Sequence, residues 1–309
     1  MKSLLLRSGL GLAVLLAGGS AWLWTPDRPR AVLEKAYLQR PEDLVSVLGM
    51  RIHLRDSGRA DAPAIILLHG FGSSLHTFEP WARGLERTHR VIRFDLPGSG
   101  LSDPDPSGRY TDARSMELMI ALMDGLGIER AAIAGNSIGG RLAWTFAAAY
   151  PDRVSHLVLI APDGYASPGF AYGKAPDVPV MLDLMRYALP KSMLRGNLAL
   201  AYGDPARLDG DTMERYHALM LAPGARQAMI DRMRQTILQD PVPSLRTIRA
   251  PVLLLWGEKD AMIPVANAED YRAALPRSEV VIFPELGHVP HEEAPERSLA
   301  PVLDFLSRP

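Results

Sequence analysis

Cysteine is absent from all 309 positions. No disulfide, thiolate metal site or cysteine nucleophile can be built from this chain. An excess of one charge is lacking as well: 34 basic residues stand against 35 acidic, a net charge of −1. There is no basic tract and no interleaving of basic and aromatic side chains, so nucleic acid is not expected as a partner. A dinucleotide fingerprint is missing, because Gly98-Ser99-Gly100 is followed by Asp103 in place of a third glycine. Neither a cofactor nor a metal is implied. Repeats and low-complexity tracts are lacking too. With 47% hydrophobic and 22% charged residues, the chain can bury one large core, as a single domain or a domain with an insertion.

The first residues bear on compartment. Lys2 and Arg7 precede an uncharged stretch, Ser8 to Thr25, rich in leucine. A basic start followed by an apolar run is an export signal. Gly19-Ser20-Ala21 offers a small-residue cleavage site, but Trp22-Leu23-Trp24 continues the run and suits an interfacial aromatic anchor. The run falls a little short of the ~20 residues that span a bilayer comfortably. Residues 1–25 are therefore expected to be a membrane anchor, or else a cleaved signal peptide. The body would lie outside the cytoplasm, at the periplasmic face of the inner membrane if anchored, otherwise periplasmic or secreted.

Residues 26–43 read as a linker with a short helix, Ala31 to Leu38. Leu44 to Leu54 alternates around Gly49-Met50 and predicts a hairpin. A continuous apolar run at 64–68 is the signature of a buried parallel strand, and 90–94, 131–134, 154–160, 252–256 and 280–283 read as further strands of that kind. Helical patterns at about 112–126 and through Leu299 and Phe305 alternate with them. The expected core is a mostly parallel, doubly wound sheet formed by 44–162 and 246–309. Between them, 163–245 shows no strand pattern and holds seven of the 13 methionines: Met181, Met185, Met193, Met213, Met220, Met229 and Met233. Methionine-rich helices make adaptable apolar surfaces, which suit a lid over the carboxyl edge of the sheet. Most of these methionines are expected to pack the insertion's own core.

The chemistry gathers at Gly135-Asn136-Ser137-Ile138-Gly139, between an apolar strand and a helical stretch. Strand, Gly-x-Ser-x-Gly and helix in that order form a nucleophile elbow, which holds a serine hydroxyl clear of the backbone. Serine needs a base, usually histidine, itself oriented by a carboxylate. Asp260 follows the strand at 252–256, and His288 follows the strand ending at Phe283. Asp163, after the strand ending at Ile160, is a second candidate for the acid. His291 reads as a capping or surface residue beside Glu292 and Glu293, His69 as a support of its loop, and Asp95 as the holder of its turn. Arg141 is left open between substrate and lid.

Four motifs, His69-Gly70-Phe71-Gly72, Gly135 to Gly140, Gly257-Glu258-Lys259-Asp260 and Gly287-His288, occur in the order found in α/β-hydrolase fold enzymes with a helical lid. From about Val45 to its end the chain resembles that family. The resemblance implies Ser137 as nucleophile, Asp260 as orienting acid and His288 as base. It also implies the backbone N–H groups of Phe71 and Ile138 as the oxyanion hole. Serine at 137 excludes the branches with a carboxylate nucleophile, such as haloalkane dehalogenases and epoxide hydrolases. The Asn136-Ser137 pair is similar to the meta-cleavage product hydrolases, which cut carbon–carbon bonds. Those usually have Gly-Pro-Gly where this chain has Phe71-Gly72-Ser73. The expectation is thus hydrolysis of carboxylic esters of small to medium hydrophobic substrates. Carbon–carbon hydrolysis and a non-catalytic binding role are the alternatives.

Overall fold

A computed structural model describes residues 24–167 and 169–308. The anchor or signal segment expected at the N-terminus lies outside them except for Trp24 and Thr25. Among the described residues no helix is long and apolar enough to cross a membrane.

The eight strands are β1 (Leu44–Val47), β2 (Met50–Ser57), β3 (Ala64–Leu68), β4 (Arg90–Phe94), β5 (Ala131–Asn136), β6 (Val154–Ile160), β7 (Val252–Gly257) and β8 (Ser278–Phe283). They form one sheet in the order β1-β2-β4-β3-β5-β6-β7-β8. The β1–β2 hairpin turns through Leu48 and Gly49, both at positive φ, as a tight two-residue turn requires. β2 runs antiparallel to β4, and all pairs from β4 to β8 are parallel.

Strand periodicity divides the core in two. Ile66, Leu68, Ile92, Ile133, Leu157, Leu159, Leu254 and Trp256 face one side. There they pack on α3 (Asp112–Gly125) and α4 (Ile138–Ala149), whose Met119, Met123, Leu142 and Phe146 join the same cluster. Ile65, Leu67, Val91, Ala132, Val158, Leu253 and Leu255 face the other side. That layer is covered by Trp81 and Leu85 of α2 (Glu79–Leu85) and by Leu299, Val302 and Phe305 of α12 (Pro295–Leu306). Because successive strand residues point to opposite faces, burial on both sides needs apolar residues in succession, as at 64–68 and 252–256.

Residues 26–43 are no free tether. They carry α1 (Arg30–Tyr37), which buries Leu33, and Arg30 bonds the Asp103 carboxylate at 2.6 Å and Leu101 O at 2.7 Å. Helix α2 and α10 (Asn267–Ala274) had no clear signature in the sequence. Both are short, and α10 carries only a few apolar residues.

Between β6 and β7 the chain forms α5 (Val180–Asp183), α6 (Lys191–Ala199), α7 (Gly210–Met220), α8 (Ala225–Gln235) and α9 (Val242–Leu245). An isolated bridge, Ser167 to Phe170, is the β-type pairing described in this insertion. Its methionines divide: Met213 is buried in a local cluster with Leu189, Leu194 and Leu208, whereas Met181 and Met193 are exposed.

Candidate active site

Ser137 stands where β5 turns into α4, with φ +56° and ψ −121°. A non-glycine residue in this region is strained and persists only where its surroundings fix it. Here Ser137 N donates to Ile160 O at 3.0 Å, and Ser137 O accepts from Asp163 N and Arg141 N, both at 3.0 Å. The flanking glycines are required by contact. A Cβ on Gly135 would lie 2.2 Å from Gly139 O, and one on Gly139 would lie 2.2 Å from Leu68 O.

His288 and Asp260 are brought together from different strand ends. His288 Nδ1 lies 2.8 Å from Asp260 Oδ2, and both side chains are buried. The other carboxylate oxygen accepts from Met262 N and Ile263 N, each at 2.8 Å, so Asp260 cannot turn away. With Nδ1 donating to Asp260, Nε2 is the ring's free acceptor. A further side chain links this pair to the elbow: Asn136 Nδ2 donates to His288 O at 3.0 Å and to Ile160 O at 3.1 Å. Asn136 lies inside the elbow motif, but nothing in its sequence surroundings points to a partner on the histidine loop.

The 70–73 loop reaches the elbow from β3. A Cβ on Gly70 would sit 2.8 Å from Asn136 Oδ1 and 3.4 Å from Ser137 Cβ, so only glycine allows this approach. The Phe71 and Ile138 amides donate to no protein acceptor among the described residues. Ile138 is the first residue of α4, where N–H groups are free and the helix dipole is positive. His69 anchors the loop: its Nδ1–H donates to Gly70 O at 2.8 Å and its Nε2 accepts from Leu96 N at 3.0 Å. Burial lowers the His69 pKa and keeps the ring neutral, although nearby Asp95 pulls the other way. Asp95 accepts from Leu75 N, Leu101 N and His53 Nδ1 at 2.7, 2.9 and 2.8 Å. Burial opposes its charge, but His53, His76 and His69 outweigh burial and hold the carboxyl down at about 2. Asp95 thus ties three chain segments, a larger task than holding one turn.

Asp163 and Arg141 belong to each other. Arg141 is buried and pairs with Asp112 and, at 3.1 Å, with Asp163. Burial works against the guanidinium charge, and the two carboxylates outweigh it and raise its pKa. Arg141 is thereby spent inside the fold, and Asp163 bonds Arg141 where Asp260 bonds His288. The surface or capping role expected for His291 is wrong. Its ring is fully buried, stacked on Phe78, with Nε2 3.0 Å from Thr77 Oγ1. The polar neighbours Glu292 and Glu293 suggested solvent, but α11 (Pro290–Glu293) turns them into pairing and bracing roles. Glu292 pairs with Arg215 and accepts from Tyr216 at 2.7 Å. Glu293 accepts from Gly203 N, Asp204 N and Gly287 N at 3.0, 2.9 and 2.8 Å.

A pocket opens beside the elbow, walled by Gly70, Phe71 and Ile138 and by Met220, Met229 and Arg232 of the insertion. Ser137 directly precedes Ile138 of this wall, and neither Ser137 nor His288 lines the pocket.

This sheet, elbow and His–Asp pair define a hydrolase architecture, and residues 63–295 match the family model described as alpha/beta hydrolase fold. The chain belongs to the alpha/beta hydrolase fold family. It is 29% identical over 268 residues to the 2-hydroxy-6-oxo-6-phenylhexa-2,4-dienoate hydrolase of Burkholderia cepacia, covering 83% of this chain and 91% of that one. A 2-hydroxy-6-oxononadienedioate/2-hydroxy-6-oxononatrienedioate hydrolase of Cupriavidus pinatubonensis is 30% identical over 267 residues, covering 83% of this chain and 90% of the relative. The crystal structure of a bacterial membrane phospholipase A superposes with a TM-score of 0.72 at 28% identity, covering 99% of this chain and 98% of the other.

Proposed function

We propose that this hydrolase cleaves carboxylic esters through Ser137, His288 and Asp260. The observation that carries the reading is the Asp260–His288 hydrogen bond, tied through Asn136 to the turn that presents Ser137. In the proposed reaction, His288 Nε2 takes the Ser137 proton as the hydroxyl attacks the carbonyl carbon. Asp260 stabilises the imidazolium. The carbonyl oxygen gains its negative charge between the Phe71 and Ile138 amides, which donate hydrogen bonds to it. His288 returns the proton to the leaving alcohol. It then activates water, which releases the acid from the acyl-enzyme.

Two features support ester cleavage. The loop reads Phe71-Gly72-Ser73, unlike the Gly-Pro-Gly usual in meta-cleavage product hydrolases. The likeness to a phospholipase A covers 99% of this chain and 98% of the other. In this reading the helices between β6 and β7 act as a lid, with Met220 and Met229 facing an apolar part of the substrate. The segment before Trp24 would hold the enzyme at a membrane. The exposed Trp24 stacks on Tyr187 at 5.9 Å, near the exposed Val180, Met181 and Leu184.

Hydrolysis of p-nitrophenyl esters of increasing acyl length by the full chain, with Ser137→Ala as control, tests the proposal. Turnover that vanishes in the variant is expected. If no ester is turned over by folded protein, carbon–carbon hydrolysis takes precedence. The dienoate hydrolases among the relatives favour that second reading, and a dienoate ring-cleavage product is its substrate for assay.

A further inference from the structure

Arg55, Arg93, Arg141, Arg226 and Arg232 are all buried to nine-tenths or more. Four of them have carboxylates: Arg55 and Arg93 share Glu79, Arg141 has Asp112 and Asp163, and Arg226 has Asp27. Arg232, on α8, has no carboxylate partner among the described residues. Its Nη2 donates to Pro97 O at 3.1 Å, and its guanidinium carbon lies 5.4 Å from the centre of the Tyr110 ring. No other acceptor among the described residues takes its remaining N–H groups. A largely buried cation without a directly bonded counter-ion is costly, because most of its hydration is lost and no contact charge replaces it. Burial pushes this guanidinium down to about 10, with Arg141 acting in the same direction and Asp112 and Tyr110 against it. It still carries its charge at neutral pH.

The position of this cost is informative. Arg232 lines the pocket that also exposes Phe71 and Ile138, whose amides flank the elbow. Arg226 lines the same pocket, but Asp27 holds it at 2.6 Å and Met185 O accepts from it as well. One guanidinium on this wall is therefore engaged by the protein and the other is largely unspent. Guanidinium is suited to bidentate bonding with an oxyanion, and such a bond strengthens in a site shielded from water.

We propose that Arg232 is an anion subsite, selecting substrates that carry a carboxylate or phosphate group a short distance from the scissile carbonyl. The proposal rests on the reading of ester cleavage above. The remainder of the wall, with Met220, Met229 and Phe71, accommodates the apolar part of the same molecule.

The test compares paired esters with the full chain. The carboxylate pair is p-nitrophenyl hydrogen glutarate against p-nitrophenyl valerate, where a carboxylate replaces a methyl group. The phosphate pair is dibutyroylglycerol phosphate against dibutyroylglycerol. Wild-type enzyme should favour the anionic member of at least one pair in kcat/KM. Arg232→Gln should lower that preference about 10- to 100-fold, the worth of a charge-assisted hydrogen bond. Arg232→Lys should recover part of it. The pair with the larger fall identifies the anion. A wild-type preference for neutral esters in both pairs, or ratios that Arg232→Gln leaves in place, would overturn the proposal. Equal loss on both members also overturns it, since that is a purely structural effect. Where Arg232→Gln does not fold, Arg232→Lys is read in its place: a reduced ratio supports the subsite, an unmoved one overturns it. Should wild type turn over no ester, the ester reading fails separately. Calorimetric binding of glutarate and glycerol phosphate to wild type and variant then decides: weaker binding to the variant supports the subsite, and equal or absent binding overturns it.

Discussion

His291 gives a direct test of the packing behind the candidate site. Burial, reinforced by nearby His288, lowers its pKa from 6.5 to about 3, and its Nδ1 has no hydrogen-bond partner among the described residues. The folded chain therefore keeps the ring neutral where the unfolded chain has protonated it. A depressed folded pKa contributes stability that is whole above 6.5 and is lost as the pH falls toward 3. Between pH 7 and pH 5 the unfolded imidazole gains most of one proton, and the linked loss of stability is about 2 kcal/mol. His76, lowered to about 3 chiefly by burial, adds a loss of the same sign. Urea unfolding at both pH values measures the sum. Carboxylates that titrate in this interval contribute alike to wild type and to His291→Gln, so the comparison isolates one imidazole. The variant's loss between pH 7 and pH 5 should be smaller by about 2 kcal/mol. An unchanged loss would refute the reasoning, since His291 would then take up its proton as readily folded as unfolded.

Other predictions address the site itself. In Asp260→Asn the new carbonyl oxygen stays with Met262 N and Ile263 N, so its NH2 faces His288 Nδ1 and places the ring proton on Nε2. Steady-state ester kinetics should show kcat lowered about 10³- to 10⁴-fold with KM little changed. Gly139→Ala drives a Cβ to 2.2 Å from Leu68 O, backbone that cannot yield cheaply. Thermal unfolding should show a large destabilisation, about 3 kcal/mol or more, or no soluble protein. Glu293→Gln weakens three charge-assisted bonds, from Gly203, Asp204 and Gly287. Urea unfolding should register a loss of about 2–4 kcal/mol, with kcat falling alongside.

The parts legible in the sequence were those whose cause is local. Runs such as Ile65–Leu68 and Val252–Trp256 announce buried parallel strands because burial on both faces admits no alternation. Ser137 was legible because its strained turn demands glycines at fixed offsets, and Asp260 and His288 because each follows a strand end. What escaped notice depends on partners distant in the chain. The amides held by Glu293 at Gly203 and Asp204 lie 90 and 89 residues away. The ring that covers His291 belongs to Phe78, and no local pattern distinguishes a buried histidine from a surface one. Arg232 is notable only because its four buried counterparts are paired, a contrast that requires coordinates.

The Glu293 bonds also limit how the insertion can move. Gly203, Gly257 and Gly287 meet backbone to backbone: a Cβ on Gly203 would lie 2.1 Å from Glu285 O, and one on Gly257 would lie 2.1 Å from Gly287 O. His288 N and Val289 N both donate to Ala201 O. Residues 201–204 are in effect a second floor beneath the histidine loop, and lifting them would carry His288 off its carboxylate. α5 and the turn after it rest on α8 instead, through Arg234 to Asp183 and Arg226 to Met185 O. The histidine side of the insertion is thus a fixed post. Helix α8 is moored as well, through Arg232 to Pro97 O and through Gln235 to Tyr110 N and Gly108 O. That leaves the short α5 stretch as the part held chiefly by the insertion itself.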